Sequence, residues 1–409
     1  MSLFKTQEAK NTLKIGLLCS LAYLACYFAR NLLGAVTPAL EEQGVWSVTQ
    51  IGYISTAYLV CYAGGQLING MLGEKIKAVY MVSTGLIVAG LCNIAFAFIP
   101  NYYLSLVVYG LSGYGLSMIY APMVKTVTEN TPPHFASRCL LGFTFASFLG
   151  SPMAGLVASL FSWQLSFVIC CVVALVMGIT IFACFKQFER AGVIVYTQKE
   201  SDTSSHSENT SLFKHQIVKW TCISALTGIV RTAVVFWATS FFSDYLGFGP
   251  TKAAVIYSIV TLINSFCPYF NNLIFYERIM KRRRDATVLC MFFMSTVFFL
   301  LLFFVKLRIL AIILFLLALM TNSGASTMLW SVYLPSLKDT GHTSFAAGFL
   351  DCISYIAAAI ASSLFANAVA GIGWQPLILV WAGLMFCGAL ICLPFGKIFK
   401  RRKKDETSE

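Results

Sequence analysis

Apolar runs of about twenty residues recur twelve times along this chain, at roughly 13–37, 48–72, 78–99, 102–124, 137–161, 165–185, 216–243, 251–275, 286–305, 309–333, 343–368 and 375–396. Each is long enough to cross a ~30 Å hydrocarbon core as a helix. In lipid the backbone must satisfy its own hydrogen bonds, which a helix does within a single segment. The chain has 409 residues, 58% of them hydrophobic and 11% charged, whereas soluble domains are nearer ~45–50% apolar. The runs therefore predict an all-α membrane protein with twelve transmembrane helices.

The net charge of +12 suggests nucleic acid, but its distribution points elsewhere. Counting alternate loops, 24 of the 29 basic residues fall on one side. They include Lys75 and Lys77, the Lys281–Arg284 run and the tail from Lys397 to Lys404. This positive-inside bias predicts a multi-pass protein of the cytoplasmic membrane with both termini in the cytoplasm. It leaves no nucleic-acid partner. The 14 cysteines lie mainly inside apolar runs, where they behave as small hydrophobes, and no Cys/His spacing suits a metal. No nucleophile–base pair or phosphate-cradling glycine loop suggests an enzyme, and no cofactor is expected. The basic N-terminal stretch enters an apolar run longer than a signal peptide's core, with no cleavage signal.

The runs divide six and six. Between them lies the serine-rich stretch Glu200–Ser211, which cannot bury a core and reads as a cytoplasmic linker. The expected organisation is a six-helix bundle over 1–185, a linker over 186–215 and a second bundle with a basic tail over 216–409. The halves share punctuation. Glu74-Lys75 follows helix 2 and Glu277-Arg278 follows helix 8, an acid and then a base in each case, and these four are candidate gating residues.

Two arginines interrupt the apolar pattern at matching places, Arg30 in helix 1 and Arg231 in helix 7. An arginine at bilayer depth costs at least ~2.5–3.5 kcal/mol. With a rise of about 1.5 Å per residue, both sit near the bilayer centre. A guanidinium keeps its charge and offers forked donors matched to phosphate or carboxylate. A pair placed by internal symmetry predicts an anion site at the repeat interface. Tyr23 and Tyr27 share the face of Arg30, and Tyr62, Gln66 and Asn69 form one face of helix 2. Asn264, Asn322 and Ser147 are further candidates, although lone amides and hydroxyls often join helix to helix. Asp351, four residues before Tyr355, reads as a residue near the cytoplasmic end of helix 11. Its other readings are a counter-ion for an empty arginine or a proton carrier.

The twelve helices, the linker and the loop Gly70-x-x-x-Glu74-Lys75 resemble the major facilitator superfamily, whose hallmark loop carries a later glycine that this chain lacks. The fold implied is two pseudo-symmetric six-helix bundles. Helix 1 (Tyr23-Leu-Ala-Cys-Tyr27-Phe-Ala-Arg30-Asn31), helix 7 (Gly228-Ile-Val-Arg231) and helix 11 (Ala346-Ala-Gly-Phe349, then Tyr355) are similar to the organophosphate:phosphate antiporter family. That resemblance implies Arg30 and Arg231 gripping a phosphoryl group, with Tyr23, Tyr27 and Tyr355 beside them. The implied partners are a small phosphorylated metabolite of glycerol-3-phosphate or sugar-phosphate type and inorganic phosphate, exchanged by a monomeric carrier in the lipid bilayer. Gln66 stands where glycerol-3-phosphate members carry a lysine, Ser147 where they carry a histidine, Asn31 replaces a basic residue and Phe236 an acid. Alternatives are a proton-coupled organic-anion carrier using Asp351 and a transporter-like hexose-phosphate sensor.

Overall fold

The computed structural model describes residues 7–195, 216–334, 336–337 and 343–393. Twelve helical spans run through them. The first six are α1 (Gln7–Glu42), α2 (Val48–Lys75), α3 (Ala78–Phe98), α4 (Tyr102–Asn130), α5 (Pro133–Leu160) and α6 (Trp163–Arg190). The second six are α7 (Ile217–Tyr245), α8 (Pro250–Ile279), α9 (Arg284–Phe304), α10 (Arg308–Tyr333), α11 (Thr343–Ile372) and α12 (Trp374–Cys392). Ten are long and apolar enough to cross a membrane. The other two, α2 and α5, are helices of 28 residues each, and the stretch Phe145–Leu160 of α5 is itself apolar.

Alkyl side chains are exposed on the outer face of the helices, where a soluble protein would carry polar ones. On α4, Leu104, Val107 and Leu111 are exposed, while Ser105, Tyr109 and Ser112 are buried. A lipid-facing stripe takes alkyl side chains, and hydroxyls turn inward to find partners. Helix starts follow ordinary capping chemistry. Ser47 and Gln50 close a capping box on α2, and Asn101 and Ser162 cap α4 and α6.

The expected boundary at Phe185 falls short of the helix end, because α6 continues to Arg190. The extra turn is held by Glu189, which pairs with Lys77 and with Lys186 at 3.4 Å, and by Lys186 donating to the Tyr80 hydroxyl at 2.9 Å. Most of the expected linker, from 196 to 215, lies outside the described residues, as does the basic tail.

Packing repeats between the halves. In the first six helices α1 packs on α5, α2 on α4 and α3 on α6; in the second six α7 packs on α11 and α9 on α12, with α10 against α8. The halves meet along α2–α11, its counterpart α5–α8, and α1–α7. These three seams close the face away from the basic loops, and small residues let them close. Added Cβ atoms on Gly52 and Gly155 would overlap Ala366 and Ser258 across their seams, and one on Gly34 would sit 3.0 Å from the Phe236 carbonyl oxygen. Thr56 donates to the Ala359 carbonyl at 2.9 Å and Ser362 to Ser55 at 3.1 Å, so α2 and α11 are also joined by hydrogen bonds.

A side chain at Gly155 would press on the Ala254 carbonyl at 2.8 Å, which cannot move without its helix. Overpacking of this kind costs ~1–3 kcal/mol. Gly155→Val should therefore shift the population toward a state open at the sealed face. A cysteine placed at Ser55 should then label faster with an impermeant thiol reagent added from that side. An unchanged labelling rate would remove the α5–α8 seam from the closure.

Candidate functional site

Between the bundles lies a cavity of about 1970 Å³. Its mouth is formed by the ends of α2, α4 and α10 and the start of α11, at Gly70, Gly73, Lys125, Glu129, Leu334 and Phe349. These ends belong to the basic face, so the cavity opens there and stops at the three seams.

Arg30 and Arg231 both line the cavity. They converge on one residue, Tyr355 of α11. Arg30 Nη1 donates to the Tyr355 hydroxyl at 2.7 Å, and its guanidinium carbon lies 4.5 Å from the centre of the same ring. Tyr27 and Tyr62 complete a cage, with ring centres 5.2 and 5.1 Å away. Each such contact contributes ~0.5–2 kcal/mol, so the cage offsets much of the cost of holding a cation at this depth. Among the described residues no carboxylate pairs with Arg30, and the edge of its fork that Tyr355 leaves free remains available to an anion.

Arg231 has different surroundings. It lies 3.6 Å from an Asp351 carboxylate oxygen, donates to Ser354 Oγ at 3.3 Å, and is 5.7 Å from the Tyr355 ring centre. The backbone carrying it is a π-helical stretch, Ile229–Val234, inside the α-helical run of α7. Such wide turns recur at functional sites because they shift side chains off the regular α positions. Asp351, Ser354 and Tyr355 form a single face of α11 by helical spacing. Against the reading of Asp351 as a residue of the helix end, its carboxylate lines the cavity and faces an arginine. Counting residues from Thr343 located the helix end but not the direction of the side chain.

The other expected residues separate into two groups. Tyr23, Tyr27, Tyr62, Gln66, Ser147, Asn264 and Tyr355 all line the cavity. Gln66 Nε2 donates to the Tyr62 hydroxyl at 2.8 Å, and Asn264 Oδ1 accepts from Ser323 at 3.0 Å. Asn69 does not line it. Its side chain is buried between α2 and α4, donating to Ser117 Oγ at 2.7 Å, so it joins helices. Asn322 touches the cavity, yet donates to the Thr227 carbonyl at 3.4 Å and is otherwise buried.

On the basic face, Lys75 is exposed at the end of α2, and Glu277 near the end of α8 lies 3.6 Å from Arg282 in the loop that follows. The side chain of Glu74 lies outside the described residues, and Arg278 is exposed near the end of α8. Tyr58, Tyr120, Tyr257 and Ser354 were missed from sequence. Tyr58 lines the cavity one turn before Tyr62, and its hydroxyl is buried without a partner. Extending the i, i+4 series of α2 backward finds it.

The sequence model of the Major Facilitator Superfamily matches residues 19–362. The chain belongs to the major facilitator superfamily. Among known structures, this facilitator is similar to a bacterial homologue of the human lysosomal transporter Spinster (TM-score 0.74, 12% identity, 93% of this chain and 96% of that one). It is also similar to a D-xylose–proton symporter (TM-score 0.70, 15% identity, 94% and 97% coverage). Both likenesses concern the fold. In sequence it is 22% identical to a hexuronate transporter of Bacillus subtilis over 62% of this chain and 61% of that one. It is 22% identical to the membrane sensor protein UhpC of Escherichia coli over 56% of each. A glycerol-3-phosphate transporter of Bacillus subtilis is 30% identical over 20% of this chain and 18% of its own length. The chain thus covers less than two thirds of the length of these relatives. The set, which also contains phosphoglycerate and hexose phosphate transporters, is consistent with the organophosphate:phosphate antiporter family.

Removing the Asp351 carboxylate leaves Arg231 with Ser354 as its one polar partner among the described residues. Both groups face a water-accessible cavity, so the cost is roughly 1 kcal/mol rather than the several expected of a fully buried pair. Asp351→Asn should lower the melting temperature of the empty protein in detergent, and millimolar phosphate should restore more of it than it adds to the wild type. Identical melting with and without phosphate in both proteins would mean the ion pair contributes no stability.

Proposed function

We propose that the protein carries a small phosphorylated metabolite across the cell membrane in exchange for inorganic phosphate, by alternating access. Arg30 and Arg231 grip the phosphoryl group. The observation that supports this reading is the meeting of two guanidinium groups, one from each bundle, on Tyr355 at the closed end of the cavity. A phosphate oxygen can replace the Tyr355 hydroxyl on Arg30 and the Asp351 carboxylate on Arg231 with charge-assisted bonds to both.

The basic face is cytoplasmic in this reading, with both termini and the linker after α6 on it, so the cavity is open inward. The first bundle extends to the end of α6 at Arg190 and the second comprises 216–409. The Glu74-Lys75 and Glu277-Arg278 sequences, at the ends of α2 and α8 on the basic face, act as gates in this reading. An anion bridging the bundles lowers the cost of closing around two arginines, and this favours exchange over movement of the empty carrier.

The charge at the closed end sets a condition on the cargo. Arg30, Arg231 and Asp351 leave one positive charge in excess. A phosphate monoester carries about −1.5 to −2 near neutrality, so the bound complex with the dianion is neutral when one proton is taken up, by Asp351 or by the phosphate itself. A monocarboxylate balances the site directly. That ion pair favours a second reading, an organic-acid carrier, and the hexuronate transporter among the relatives is in keeping with it.

Proteoliposomes loaded with radiolabelled phosphate and challenged with phosphorylated compounds and sugar acids separate the readings. Phosphate counterflow supports exchange, uptake of sugar acids driven by a pH gradient supports the second reading, and binding without flux points to a sensor. Arg30→Lys and Arg231→Lys should each reduce exchange about a hundredfold, the cost of ~2.7 kcal/mol for losing a forked contact. Near-normal exchange in either variant would rule out the twin-arginine grip.

A further inference from the structure

The face opposite the mouth holds a second titratable pair, remote from the cargo cavity. Along the α1–α7 seam Gly34 faces Phe236, so seven residues on, in the same register, Glu41 is level with Ser243, and its Oε1 reaches back to within 3.4 Å of the Ser240 hydroxyl. Asp244 is one turn beyond Ser240. The two helices run in the same direction, so this register sets Glu41 beside Asp244, within reach of an interaction between the two carboxyl groups. One carboxyl group from each bundle therefore meets at the end of the seam. Neither residue lines the cavity.

Two ionised carboxylates accept hydrogen bonds and donate none, and they repel at contact distance. A hydrogen bond between them requires one proton held in common. The surrounding charges do not substitute for it. Glu42 on α1 adds a further negative charge. Ser240 and Ser243 on α7 offer hydroxyls. Lys252 at the start of α8, Lys306 in the α9–α10 loop and Arg308 at the start of α10 are the basic groups on this face. Among the described residues, none of the three forms an ion pair with Glu41 or Asp244, and Arg308 lies over Phe248 instead, 5.6 Å from its ring centre.

We propose that Glu41 and Asp244 form a proton-binding site that latches this face. A shared proton joins the bundles while the cavity is open to the basic side. Loss of the proton leaves two facing negative charges that part the seam. The proton enters and leaves at the sealed face, without passing the cargo site, so it gates the carrier and is not transported by it. The inference is independent of the nature of the cargo.

The linkage has a definite sign. The sealed state holds one proton more than the parted state, so sealing is favoured as pH falls and weakened as pH rises. The sealed-to-parted ratio should change by up to tenfold per pH unit where the pair titrates. Spin labels at Tyr103 and Leu307, both strongly exposed at this face on opposite bundles, report the separation by electron–electron resonance. The protein is held in lipid nanodiscs without cargo, the exposed Cys387 is replaced, and pH runs from about 4 to 8. The wild type should gain a longer-distance population with rising pH. Glu41→Gln and Asp244→Asn each supply an amide donor that needs no proton, so both should remain sealed throughout. An invariant wild type, or an undiminished response in Glu41→Gln and Asp244→Asn, would each overturn the proposal.

Discussion

The arrangement depends on a permanent positive charge, Arg30, held at bilayer depth with no carboxylate partner among the described residues. A guanidinium cannot shed its proton to escape burial. The molecule must therefore supply a cavity that admits water, polarisable rings to cover the flat faces of the group, and an opening for an anion. The bundles, split so that a cavity of about 1970 Å³ separates them, meet the first need. Tyr27, Tyr62 and Tyr355 meet the second. Because Tyr355 comes from the other bundle, the cage itself spans the two halves.

Internal duplication has produced equivalence in packing without equivalence in chemistry. The α2–α11 and α5–α8 seams exchange roles under the pseudo-symmetry, and each bundle contributes one arginine. Yet Arg30 rests among rings while Arg231 leans on Asp351 and Ser354. The site is thus polarised, with one arginine free to attract an anion and the other engaged until an anion displaces its partner. Asymmetry of this kind lets a two-fold scaffold treat the two ends of an asymmetric small molecule differently.

Much of this was legible from sequence, for physical reasons. Twelve spans follow from hydrocarbon thickness, and the arginines stand out because charge in lipid is costly. Tyr27, Tyr62 and Gln66 follow from helical spacing relative to polar neighbours. What spacing could not supply was azimuth. Asn69 and Gln66 are three residues apart on α2, yet Gln66 lines the cavity and Asn69 turns to Ser117. Asp351 was assigned by its distance from a helix end, which carries no information about the face it occupies. The π-helical turn at Arg231 and the meeting of Glu41 with Asp244 depend on how two helices cross, and a single chain read linearly does not encode that.

The seams have a mechanical consequence. Where Gly34, Gly52 and Gly155 cross their neighbours, they meet main-chain atoms, the Ala366 methyl, the Ser258 hydroxyl and the edges of the Phe236, Trp237 and Tyr257 rings. The glycine side of each crossing carries no side chain to interdigitate and the rings opposite have few rotatable bonds, so parting the halves requires little rotamer rearrangement. The joint behaves as smooth bearings rather than as meshed teeth, and a few hydrogen bonds at its edge are enough to decide whether it stays shut.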